Sequence, residues 1–205
     1  DEMPSKIAAL LDPLAVAVRG VEQTMTSMGG LNEGFSTTST VLIVGPGAIG
    51  ILTGLIYKYM GCERLIFTGR SDEKLKRAQE ITNADDIVNV KEMTVEERVA
   101  TIREMTHGGA NIVINCANNQ ESCIEALQMV RKLGTYVEIG NAMSEEDGKK
   151  VEIDLADVVF SRNAHITSVV ANSPKSFDRA FRLLKKYKEI PFEKVITHEF
   201  HTLEE

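Results

Sequence analysis

The stretch Val41-Leu42-Ile43-Val44-Gly45-Pro46-Gly47-Ala48-Ile49-Gly50 decides how this chain is read. Its four leading apolar residues, mostly β-branched, predict a strand buried on both faces. A G-x-G-x-x-G turn follows, and then an amphipathic run to about Met60 that predicts a helix. The glycine pattern alone is weak. Between a strand and a helix it marks a turn that cradles a dinucleotide. Gly45 permits the tight turn, Gly47 lets a pyrophosphate approach the backbone, and Gly50 lets the helix pack close to the strand. The first turn of the helix, with Ala48 and Ile49, offers free N–H groups and the positive end of the helix dipole to the phosphates. The plainer alternative is a strand–turn–helix connection whose glycines serve packing only.

Outward from this turn, strands and helices alternate. Short apolar runs stand at Val41–Val44, Leu65–Phe67, Asp86–Val88, Ile112–Asn115, Tyr136–Ile139 and His165–Val170. Helical patterns lie near 48–60, 72–81, 94–105 and 119–132, with another near 173–188 after the last strand. This order predicts an α/β fold: a doubly wound six-stranded parallel sheet, the Rossmann dinucleotide-binding fold, with helices on both faces. Upstream, Ile7, Leu10, Leu11, Leu14, Val18 and Val21 form a helical stripe from Lys6 to about Met28. Pro13 marks either a kink or a short first helix followed by a second. Residues 29–40, rich in Gly, Ser and Thr, read as a surface loop. The expected organisation is a linking helical segment and loop (1–39), a nucleotide-binding domain (40–190) and an exit segment (191–205).

Composition narrows the function. The chain has 205 residues, 43% hydrophobic and 26% charged, which is globular rather than disordered. No apolar run reaches the ~18 residues of a membrane span, and no signal peptide is visible. The net charge of −7 argues against nucleic acid as a partner. Cys62, Cys116 and Cys123 have no zinc-knuckle spacing and read as reduced thiols, so the expected location is cytoplasmic.

The second strand selects the cofactor. NAD-binding domains place Asp or Glu at its tip, ~20 residues beyond the glycine turn, against the ribose 2′-hydroxyl. Here the tip reads Gly69-Arg70-Ser71-Asp72. A small residue leaves room for a 2′-phosphate, and a guanidinium and a hydroxyl can bind it. This favours NADP(H) over NAD(H). Asp72 is the counter-argument, unless it serves the dipole or cap of the next helix.

With these residues in place, the chain resembles the cofactor-binding half of the medium-chain, zinc-dependent alcohol dehydrogenases, a family with sorbitol- and threonine-dehydrogenase-like members. The resemblance begins at Ala8-Ala-Leu-Leu-Asp-Pro-Leu-Ala15 and takes in the glycine turn. It continues through Asp85–Asn89, Asn111–Cys116 and Leu133-Gly-Thr-Tyr-Val-Glu-Ile-Gly140, and closes on Val195-Ile-Thr-His198. It implies hydride transfer between NAD(P) and an alcohol–carbonyl pair. It also implies a preceding catalytic domain that holds most zinc ligands, so this chain is expected to be one domain of a longer enzyme and inactive alone. Asp12 matches the family's variable third zinc position, as a ligand or an outer contact; a catalytic site needs three protein ligands, so Asp12 cannot hold zinc unaided.

Other positions carry over from the same resemblance. Lys74 matches a lysine near the adenosine ribose. Asn115, Cys116 and Ala117 end the fourth strand beside the cofactor, while Ile139 with Gly140, and Val170 with Ala171, end the fifth and sixth on the nicotinamide side. For Ile139 and Val170 the alternative is apolar packing. The family also pairs subunits near residues 151–170, so a homo-oligomer through the sheet edge is expected, with Val151, Ile153 and Leu155 alternating along it. His198 and His201, in an extended segment without a matching Cys or acid, are not expected to bind metal. Two rivals remain: a zinc-independent quinone-reductase-like relative, and a non-catalytic nucleotide-binding or dimerisation domain.

Overall fold

A computed structural model describes residues 3–25, 34–140 and 152–200. The chain opens on α1 (Ser5–Ala8) and α2 (Leu11–Glu22). The strands β1 (Thr40–Val44), β2 (Arg64–Gly69), β3 (Asp86–Asn89), β4 (Ala110–Asn115), β5 (Val130–Glu138) and β6 (His165–Ser168) form one sheet. Its order is β3-β2-β1-β4-β5-β6, and every pairing is parallel. The helices α3 (Ala48–Tyr59), α4 (Asp72–Thr82), α5 (Val95–Met105) and α6 (Gln120–Met129) connect successive strands, and α7 (Pro174–Lys186) follows β6.

Because successive side chains of a strand point to opposite faces, β1 feeds two cores. Val41 and Ile43 join Leu14 and Val18 of α2, Ile51 and Leu55 of α3, Leu75 of α4 and Leu184 of α7. Leu42 and Val44 join Val99 and Ile102 of α5 and Leu127 of α6. The sheet is thus covered on both sides, as its unbroken apolar strands require. The sheet order reverses between β1 and β4, and a doubly wound sheet opens a ligand crevice at that switch point. Register places Val44 opposite both Thr68 and Asn115, so the ends of β1, β2 and β4 are level there.

Several elements depart from the sequence reading. Of the two readings offered for Pro13, the structure has the short first helix followed by a second, with the break at Ala9–Leu10, and α2 ends at Glu22. Pro13 lies in the first turn of α2, where its missing amide would have no helical partner anyway. The fourth connecting helix does not run to 132: α6 stops at Met129 and the chain is extended from Val130. Leu133 takes a positive φ of 62°, and the Arg162 guanidinium donates to the carbonyls of Leu127, Gln128 and Val130. These bonds satisfy carbonyls that another helical turn would have used. β6 ends at Ser168 rather than Val170.

The alternating edge strand expected around Val151, Ile153 and Leu155 is not formed by its described residues. Glu152–Asp154 belong to no strand, and a π-helical turn spans Ala156–Ser161. Ile153 instead packs on the second core. A 3-10 turn spans Phe192–Val195 and leads into the exit segment. Val151, His201, residues 29–33 of the 29–40 loop and the acidic loop at 144–148 lie outside the described residues. Among the described residues, no helix is long and apolar enough to cross a membrane.

Candidate dinucleotide-binding crevice

The glycine turn has the geometry its sequence calls for. Gly45 has φ +104°, a conformation open to glycine. A Cβ on Gly50 would stand 2.1 Å from the Gly45 carbonyl oxygen, so α3 could not approach β1 with any larger residue. A Cβ on Gly47 would meet nothing within 4 Å. That glycine faces open space, a cradle with room for a ligand. The first helical bond of α3 runs from Ile51 N to Gly47 O at 2.9 Å, and no side chain caps the helix start. The amides of Ala48, Ile49 and Gly50 precede that bond and can serve an anion.

A crevice of about 400 Å³ opens over this turn. Val44, Gly45, Pro46 and Gly47 form its floor, and Thr68, Gly69, Arg70, Ser71 and Lys74 form one wall. The opposite wall is Cys116 to Asn119 with Glu121, Ser122 and Glu125, closed from below by Val90 and Arg98. Thr68 is fully buried, and its hydroxyl oxygen has no hydrogen-bond partner among the described residues. The open glycine, the free amides and this unpartnered hydroxyl fit a phosphate-bearing dinucleotide.

The tip of β2 carries the cations expected there. Ser71 caps α4, its hydroxyl oxygen accepting from Lys74 N at 3.3 Å. Its O–H therefore remains able to donate. Asp72 does not face the crevice: its carboxylate accepts from Asn89 Nδ2 at 2.6 Å, beside β3. The acid that argued for NAD is thus turned away. The smallness of Gly69 has a second cause that the sequence does not show. A Cβ there would lie 2.6 Å from Pro46 Cδ, so packing on the glycine turn requires it whatever the cofactor.

Arg98 is the main feature that sequence reasoning missed. It is 4% exposed and donates to Val90 O at 3.1 Å and to Glu125 at 2.8 Å. A second contact, 3.0 Å, reaches Glu121, which also pairs with Arg70 across the crevice. The bond from Arg98, with both guanidinium charges, holds the Glu121 carboxyl below the usual carboxylate range. Burial pushes that of Glu125 up, against the pull of Arg98. The Glu121/Glu125 spacing of one helical turn was the only visible hint, and it does not name a partner on the preceding helix.

Of the remaining predicted positions, Cys116 and Ala117 line the crevice, and Asn115, Ile139 and Gly140 do not. Asn115 is fully buried: its amide donates to Ser122 Oγ at 3.3 Å and Glu138 at 2.9 Å, and its Oδ1 accepts from Ala117 N at 3.2 Å. Its backbone carbonyl accepts from the amides of both Ile139 and Gly140 at 2.9 Å. Ile139 is 7% exposed and packs against Gly20 of α2. Gly140 abuts the Ala117 backbone. The three residues align the ends of β4 and β5. Val170 is exposed, and Arg19 holds the Val170 and Ala171 carbonyls. Burial pushes the Cys116 thiol up to about 12, which leaves it no nucleophile at neutral pH.

Asp12 sits on the first turn of α2, exposed, and accepts from Asn172 Nδ2 at 3.0 Å just beyond β6. No group of three candidate metal ligands occurs among the described residues. One carboxylate does not make a zinc site.

Residues 48–186 match the family model of zinc-binding dehydrogenases, and the chain belongs to that family. It is 26% identical over 196 residues to a sorbitol dehydrogenase of Halalkalibacterium halodurans, covering 94% of this chain and 51% of that protein. It is also 26% identical to an erythritol/L-threitol dehydrogenase of Mycolicibacterium smegmatis, covering 97% of this chain and 50% of that protein. Among solved structures, a protein of Sinorhizobium meliloti 1021 described as a zinc-binding dehydrogenase bound to NADP is similar, with a TM-score of 0.71 and 28% identity. That match covers 87% of this chain and 48% of the other. An alcohol dehydrogenase of Thermotoga maritima shares the fold, with a TM-score of 0.79 at 24% identity over 96% of this chain and 51% of the other. The chain therefore spans about half the length of the relatives it matches.

Proposed function

We propose that this chain is the nicotinamide-cofactor-binding domain of an alcohol- or polyol-dehydrogenase-like oxidoreductase and binds NADP(H) in preference to NAD(H). The carrying observation is the crevice at the β1/β4 switch point, where Gly47 faces open space under free helix amides. The pyrophosphate would lie on Gly45–Gly50, and a 2′-phosphate would meet Arg70, Ser71 and Lys74. When bound, the cofactor supplies the hydride chemistry. This chain's residues bind it and orient it.

Substrate polarisation by zinc is assigned to residues outside this chain, with Asp12 as a ligand or an outer contact. The chain by itself is then a binding domain without turnover. The edge at β6 is assigned to subunit pairing: Ile166 on the strand, with Phe160 and Val170 close to it in sequence, are exposed apolar groups.

Calorimetric titration of the 205-residue chain with NADPH and NADH tests the reading. Tighter NADPH binding, lost in Arg70→Ala while NADH binding persists, is the expected result. NADH binding as tight as NADPH would overturn the 2′-phosphate assignment alone. No binding of either would overturn the cofactor-binding function.

A further inference from the structure

Arg70 does not stand free at the mouth of the crevice. It is paired with Glu121 of α6 on the facing wall. A 2′-phosphate and a carboxylate want the same guanidinium, and each repels the other. Glu121 also has a second anchor. Arg98 holds it at 3.0 Å, and Arg98 is 4% exposed and pinned by Glu125 at 2.8 Å. The carboxylate therefore cannot leave the crevice without breaking a contact to a buried cation. A ribose with a plain 2′-hydroxyl makes no such demand, because it brings no charge to Arg70.

We propose that Glu121 is a specificity-determining residue of the cofactor site: it competes with the 2′-phosphate for Arg70 and lowers the preference for NADPH over NADH. This rests on the cofactor-binding reading above. Gly69-Arg70-Ser71 then sets the direction of the preference, and the Arg98-anchored Glu121 limits its size. The glutamine variant keeps the shape of the side chain and removes the charge, while Arg98 keeps Glu125. An exposed pair of this kind is worth up to about fivefold in an equilibrium.

The test is titration of wild type, Glu121→Gln and Glu73→Gln with NADPH and NADH. Glu73 is an exposed acid on the first turn of α4 that does not line the crevice, so its variant controls for net charge. The expected result is an NADPH:NADH affinity ratio about three- to fivefold higher in Glu121→Gln, and within about twofold of wild type in Glu73→Gln. An unchanged ratio in Glu121→Gln, with wild-type binding intact, would overturn this proposal alone. An equal rise in Glu73→Gln would also overturn it, since the effect would then be one of net charge. If neither dinucleotide binds wild type or variants, the cofactor-site reading fails and takes this proposal with it.

Discussion

At the scale of single residues, Gly47 and Gly50 separate binding from packing. A Cβ on Gly50 would sit 2.1 Å from a backbone oxygen, which has no flexible end to yield. Gly50→Ala should cost about 1–3 kcal/mol of stability, read as a lower denaturation midpoint. A Cβ on Gly47 meets nothing, and its φ of −84° suits any residue. Gly47→Ala should therefore melt within about 0.5 kcal/mol of wild type yet bind NADPH more weakly, because the methyl occupies the cradle. A Gly47→Ala variant that binds as well as wild type would mean the pyrophosphate lies elsewhere.

At the scale of elements, Arg98 ties α5 to α6 beneath the crevice. Glu125 is 3% exposed, so Arg98→Ala would leave a buried carboxylate without its partner, at a cost of about 3–5 kcal/mol. The loss should depend on pH in a definite direction. Burial raises the folded pKa of Glu125, so an unpaired Glu125 destabilises above that pKa and is relieved as it takes up a proton on acidification. The Glu121 pKa is lowered by Arg98, so the stability that pair contributes is present above the ordinary glutamate pKa and fades as pH falls through the depressed value. The Glu125 effect narrows the gap between Arg98→Ala and wild type as pH drops from 7 towards about 4, and the Glu121 effect narrows it further only below that. Chemical denaturation at stepped pH measures this; a gap that widens on acidification would contradict the assignment.

At the scale of the whole molecule, β6 is an edge strand, and Phe160, five residues before it in sequence, is 80% exposed. A sheet edge flanked by apolar groups favours pairing with a second copy. Sedimentation velocity should show concentration-dependent association, shifted towards monomer in Phe160→Glu. Because Phe160 packs on little within the chain, its variant should unfold within about 0.5 kcal/mol of the monomeric reference. Wild type that stays monomeric at tens of micromolar would remove the subunit-pairing assignment.

The sheet was legible in the chain because its determinants are local. Buried parallel strands need continuous apolar runs, and the phosphate turn needs glycine at fixed positions, so Val41–Gly50 carries both in ten consecutive letters. The guanidinium of Arg70 and the hydroxyl of Ser71 were readable for the same reason, since they follow directly from the end of β2, whereas Lys74 was reached through the family resemblance. Other features depend on contacts between distant segments. α6 ends at Met129 because a guanidinium from residue 162 reaches the carbonyls of residues 127, 128 and 130. Gly69 is confined by Pro46, and Asp72 is drawn aside by Asn89. The charged cluster along the crevice joins Arg98, Glu121 and Glu125 from two helices separated by a strand. Local pattern determined the fold and one wall of the candidate crevice, because backbone geometry and burial act between near neighbours. Only the tertiary structure decided which charges face each other across the crevice, because electrostatic partners are chosen by distance in space.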